Sequence, residues 1–97
     1  MIQSFGNKAT EELFHGRKTN ATRKFPTEII KVAYRKLDML NAAHQLNDLR
    51  SPPGNRLEAL KGSFKGFYSI RINEQWRIIF RWNSGNVLDV QIMDYHN

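Results

Sequence analysis

The sequence is 97 residues long, carries fifteen lysines and arginines against nine acids for a formal net charge of +6, and contains no cysteine. That length makes a single domain over 1–97 with a modest core. No apolar run nears the roughly 18 residues that cross a bilayer, and thiol chemistry, disulfides and a cysteine–histidine zinc site are all excluded. The first residues lack the charged-then-apolar pattern of a secretory signal. A cytoplasmic protein with neither metal nor organic cofactor is expected. The basic excess, with a pI of about 10.0, favours a polyanionic partner: nucleic acid, an acidic protein or an anionic membrane surface.

Taken in order, residues 2–5 read as a short strand at a sheet edge. Asn7 is placed to cap a helix over 8–15, with Glu11 and Glu12 in its early turns, where the helix dipole favours acids, and Gly16 to end it. Residues 17–24 form a polar basic loop, read either as a solvated connector or as a binding loop. Pro26 suits the first turn of a second helix. Ile29, Ile30, Ala33, Leu37 and Leu40 recur there at helical spacing as one apolar stripe. Lys31 and Arg35 lie opposite it, where phosphate contact and ordinary solvation both account for them. A turn with Leu46 and Leu49 follows, and His44 is expected to be exposed. Ser51-Pro52-Pro53-Gly54-Asn55 breaks regular structure, and 57–60 reads as a short strand.

The last third alternates with period two, which makes an antiparallel sheet with one face on a core. Tyr68, Ile70 and Ile72 share a face, as do Trp76, Ile78, Phe80 and Trp82, and then Leu88, Val90 and Ile92. Residues opposite one another in a hairpin share a face, so the apolar sets fix the register. Ile72 faces Trp76 across a three-residue loop at 73–75, Ile70 pairs with Ile78, and Tyr68 with Phe80. The same rule gives the next hairpin a three-residue loop at 83–85 and pairs Phe80 with Leu88, Ile78 with Val90 and Trp76 with Ile92. On the non-core face Arg71 then stands directly opposite Arg77, with Gln91 next in the row and Arg81 nearby. Like charges so placed destabilise a sheet. They point to a bound anion, unless they splay into water or meet Glu74, Asp89 or Asp94.

Paired catalytic carboxylates, a Ser-His-Asp set and a glycine-rich phosphate loop are all missing. Cationic groups, Asp94, Tyr95 and His96 remain. That set suits metal-free cleavage of RNA by its own 2′-hydroxyl, which needs a base, an acid and cations for the charge on phosphorus. His96 is able to titrate near neutrality.

Over nearly its whole length the sequence resembles the RelE/ParE superfamily of bacterial toxins, and within it the HigB-like plasmid maintenance system killer group. The residues that carry the resemblance are the Met-Ile-x-Ser-Phe start, Arg50-Ser51-Pro52-Pro53-Gly54-Asn55-Arg56-Leu57-Glu58-Ala59-Leu60, Tyr68-Ser69-Ile70-Arg71-Ile72-Asn73-Glu74-Gln75-Trp76-Arg77-Ile78, and Asp94-Tyr95-His96. The resemblance implies an α+β fold, with two N-terminal helices packed on one face of a small twisted antiparallel sheet. It implies cleavage of mRNA in the A site of the 70S ribosome, control by a HigA-like helix-turn-helix antitoxin, and contact with operator DNA only as the toxin–antitoxin complex. Active-site roles in the family map onto Lys61, Arg71, Arg77, Asp94, Tyr95 and His96. The lysine and arginines would hold the scissile phosphate, Tyr95 or His96 would handle protons, and Asp94 would orient or assist. Glu58 stands where some relatives carry a histidine, and Ser63 and Phe64 replace a more polar segment. Arg17, Lys18, Arg23, Lys24, Lys31, Arg35 and Arg81 are the candidates for further contacts with RNA or the ribosome. A gyrase-poisoning toxin of the ParE kind and a non-catalytic nucleic-acid-binding protein are the competing readings.

Overall fold

The computed structural model describes residues 1–95. Two helices, α1 (Lys8–Phe14) and α2 (Thr27–Ala42), precede four strands: β1 (Glu58–Ala59), β2 (Tyr68–Arg71), β3 (Trp76–Asn83) and β4 (Asn86–Asp94). The strands form one antiparallel sheet in the order β1-β2-β3-β4. Both helices pack on one face of it, which is the expected α+β arrangement. Asn7 caps α1 as anticipated, its side-chain oxygen accepting from Thr10 N at 2.9 Å. Gly16 follows the helix at φ 73°, a left-handed conformation that glycine takes without steric cost.

The core lies between the helices and the sheet. Ile29, Ala33, Leu37 and Leu40 of α2 meet Ile70, Trp76, Ile78, Phe80, Val87, Val90 and Ile92. Ile30 was expected in the helical stripe and is instead exposed; a second isoleucine in sequence is rotated about 100° around the helix axis, off the buried face. Asn55, fully buried, ties the loop before β1 to the helical layer. Its amide donates to the carbonyls of Leu49 (3.0 Å) and Ser51 (3.3 Å), and its oxygen accepts from Lys36 Nζ. Burial, with Arg35 nearby, holds the Lys36 pKa below the usual lysine value.

The β2–β3 register is the expected one: Tyr68 opposes Phe80, Ile70 opposes Ile78 and Arg71 opposes Arg77. In the loop, Asn73 Oδ1 accepts from the backbone of Gln75 and Trp76, both at 2.8 Å. The β3–β4 register differs from expectation. Asn83 pairs with Asn86, so the loop has two residues, Ser84 and Gly85, at φ 50° and 87°. Two positive φ values in succession make a type I′ turn, whose twist matches the strands. A two-residue loop alone would reverse the faces of β4. A bulge restores them: Ile79 opposes Gln91 but Arg81 opposes Leu88, leaving an extra residue on β4, where Asp89 has φ 53°. The result is that Val87, not Leu88, is buried with Val90 and Ile92, and that Ile78 faces Ile92 and Trp76 faces Asp94.

Residues 2–5 pair with the outer edge of β4, as isolated parallel bridges rather than a continuous strand. Gln3 N donates to Val87 O and Gly6 N to Val90 O, while Val87 N and Val90 N donate to Met1 O and Ser4 O. Further along, Ile92 N donates to the buried hydroxyl of Thr10 at 2.8 Å. Those bonds leave this edge little to offer a strand from another molecule.

Replacing Asn55 with alanine strands two carbonyls and the Lys36 amine, so Asn55→Ala should lower the unfolding free energy by about 2–3 kcal/mol in a urea titration. A change below about 0.5 kcal/mol would mean that water takes over these bonds.

Candidate active site on the open sheet face

The sheet face turned away from the helices carries the cationic residues in rows set by the register. The first row is Arg71, Arg77 and Met93; the second is Glu58, Ser69, Ile79 and Gln91. In the same register Phe67, just before β2, stands beside Arg81, and Arg81 opposes Leu88.

Arg77 is the centre of this face. Its side chain is only 15% exposed. Nη1 donates to Ser69 Oγ at 2.8 Å, Nη2 lies 3.0 Å from Glu58 Oε1, and its guanidinium carbon sits 5.0 Å from the centre of the Tyr95 ring. Arg71, directly opposite, has a loose contact of 3.9 Å with the almost fully exposed Glu74. The like-charge opposition is therefore partly offset from within. The partner of Arg77 is Glu58, not Glu74, Asp89 or Asp94. Pairing of β1 with β2 sets Glu58 opposite Ser69, one diagonal step from Arg77, and the exposed carboxylate reaches across.

The shifted β3–β4 register decides what the tail does. Arg77 opposes Met93 rather than Gln91, so Tyr95 is the diagonal neighbour of Arg77 on the same face. Tyr95 N donates to Gln75 O at 2.6 Å. Asp94 falls on the opposite face, across from Trp76, and accepts from Gln75 Nε2 at 3.1 Å; it makes no salt bridge with either arginine. His96 lies outside the described residues. Lys61 is exposed just past β1, at the Phe67 end of the face rather than at the Arg71–Arg77 end. No ion pair joins it to an acid among the described residues.

Of the other candidates, Arg81 alone belongs to this face, paired to Asp89 at 3.3 Å and set 4.4 Å over the Phe67 ring. Arg17, Lys18, Arg23, Lys24, Lys31 and Arg35 are exposed on the helical side. Arg17 pairs with Glu12 at 3.0 Å. Together with Lys18, Arg23, Leu13, Phe25 and Ile30 it lines a groove of about 540 Å³ between α1 and the start of α2. The lining of that groove includes no carboxylate, histidine or tyrosine, whereas the sheet face brings arginine, carboxylate, hydroxyl and phenol together. Among the described residues no cluster of histidine or acids is able to hold a metal ion, and no helix is long and apolar enough to cross a membrane.

The family profile described as RelE-like toxin of type II toxin-antitoxin system HigB matches residues 3–96. The chain belongs to the HigB-like toxin family. It is 41% identical over 92 residues to Toxin HigB-1 of Vibrio cholerae, covering 95% of each chain. It is 28% identical over 96 residues to a Proteus vulgaris protein named Endoribonuclease HigB, covering 99% of this chain and all of the relative. Solved structures share the fold: the YoeB dimer of Staphylococcus aureus at TM-score 0.60 and 20% identity, over 99% of this chain and 95% of that one, and YafQ of E. coli at TM-score 0.58 and 15% identity, over 97% and 91%.

Because Glu58 is about half exposed, its ion pair with Arg77 contributes little to the stability of this HigB-like toxin. Glu58→Gln should shift the unfolding free energy by no more than about 1 kcal/mol in chemical denaturation. A loss above about 3 kcal/mol would instead mark the pair as a structural necessity.

Proposed function

We propose that this toxin is an endoribonuclease that cuts mRNA in the ribosomal A site without a metal, and that a HigA-like helix-turn-helix antitoxin restrains it, the pair together binding operator DNA. The observation that carries the reading is the grouping around Arg77 of a second arginine, a solvent-accessible carboxylate and a tyrosine ring. The name of the Proteus vulgaris relative supports it.

The chemistry follows from the residues. A phosphate between Arg71 and Arg77 is met by planar guanidinium forks that match its oxygens. Arg77 is pre-aimed by Ser69 and Glu58, so little reorganisation is needed as charge builds on phosphorus. The Glu58 carboxylate is the proton acceptor in this scheme. It takes the proton from the 2′-hydroxyl, the 2′-oxygen attacks phosphorus, and a 2′,3′-cyclic phosphate forms as the bond to the 5′-oxygen breaks. The departing oxygen takes a proton from Tyr95, stacked against Arg77, or from His96. Lys61 and the arginines of the helical side are left to contact RNA farther from the cut, where their phosphate pairing would be salt-dependent.

Arg77→Ala should abolish toxicity and mRNA cleavage while the protein stays folded, and Glu58→Gln should slow cleavage by roughly 10²–10⁴-fold. Induced expression followed by primer extension of cellular mRNA reads both. Translation-dependent cuts within codons support the proposal; gyrase-linked DNA breaks, or a toxic Arg77→Ala variant, refute it.

A further inference from the structure

Arg81 is an exposed arginine with contacts on three sides. Its side chain is 49% exposed, and such a side chain ordinarily samples many rotamers in water. Here three neighbours confine it. Asp89 Oδ2 lies 3.3 Å from its Nε, the Phe67 ring lies 4.4 Å from its guanidinium carbon, and Gly66, at φ 95°, lies alongside, where a Cβ would be in ordinary contact with its Nη1 at 3.5 Å. Asp89 is itself fixed. It is the bulge residue, at φ 53°, and its backbone N–H donates to Ser4 Oγ at 2.9 Å. Phe67 is braced from the side by Phe64, the rings edge to face at 6.0 Å. An aromatic ring, a planar cation on it and a second aromatic beside it are the parts of a base-stacking surface.

Its position on the sheet gives it a role. Arg81 is four residues along β3 from Arg77, about 13 Å at the strand rise, and on the same face. Lys61 and Lys65 flank the turn that carries Phe64 and are both exposed, so cationic side chains stand beside this aromatic end as well. On the reading above, an RNA strand whose phosphate rests between Arg71 and Arg77 meets Phe67 and Arg81 where it follows β3 along this face. We propose that the guanidinium of Arg81, backed by Phe67 and Phe64, stacks against a nucleobase of the RNA flanking the scissile phosphate. This rests on the RNA-cleaving reading given above and adds to it a subsite that registers the strand by a base rather than by its phosphates.

A plain alternative is that Arg81 only shields Phe67 and Ile79 with its aliphatic stem. Arg81→Lys separates the two, because lysine keeps the charge, the stem and the pairing with Asp89 but has no planar face. The experiment measures single-turnover cleavage by wild type, Arg81→Lys and Phe67→Leu on ribosomes programmed with mRNA. The substrates carry an intact base or an abasic residue at each position within three nucleotides of the cut, and circular dichroism checks folding. The wild type should lose about tenfold in kcat/KM at one flanking position when the base is removed. Arg81→Lys should lose a similar factor on intact RNA, more through KM than kcat, and should then be indifferent to the abasic residue at that position. Phe67→Leu should behave alike. Equal abasic sensitivity in wild type and variants, or no sensitivity at any position in the wild type, overturns the stacking subsite while leaving the endoribonuclease reading intact. Absence of wild-type cleavage overturns both.

Discussion

The bulge at Asp89 is the constraint on which the rest of this structure depends. A type I′ turn at Ser84–Gly85 gives β3 and β4 the right twist, but its even count would set the apolar residues of β4 on the wrong face. One extra residue on β4 corrects the count. Val90 and Ile92 return to the core, Met93 comes opposite Arg77, and Tyr95 is delivered to the diagonal position beside that arginine. The left-handed backbone that makes this possible is one that aspartate tolerates better than most residues. Ser4 secures it, with the hydroxyl accepting from Asp89 N.

The same correction joins the two ends of the chain to the site. Residues 1–6 lie along β4, where Ile2 and Phe5 bridge to Val87 and Val90, which are both buried because the bulge falls between them. Thr10 continues the cover by taking the free N–H of Ile92. The open face then needs nothing from the helices except support: its chemistry comes from Glu58 on the short first strand, the two opposed arginines and Tyr95 beyond the last strand.

The sequence made the β2–β3 hairpin legible because two requirements agreed there. Apolar pairs had to share one face, and only a three-residue loop at 73–75 allowed it. The neighbouring hairpin was ambiguous for a definite reason. A three-residue loop, and a two-residue loop followed by a bulge, both keep Trp76, Ile78, Phe80, Val90 and Ile92 together. They differ only in burying Leu88 or Val87, which are equally apolar, and Asp89 gives no outward sign of a bulge. The place of Glu58 was not legible because β1 is two residues long and has no periodicity to fix its pairing. Asp94 is as close in sequence to the site as Tyr95, yet strand alternation sends it to the opposite face. Residue type alone did not distinguish them.

The edge cover formed by the first residues has a temporal side. Met1 bonds to Gly85 and Ser4 to Asp89, partners 84 and 85 residues away, and contacts of such separation form late because the whole intervening loop must close first. Until β4 has paired with β3, the first residues have no strand to lie on and Arg77 has no Tyr95 beside it. The face that holds Arg77 is therefore a late product of folding, assembled only after segments far apart in sequence have met.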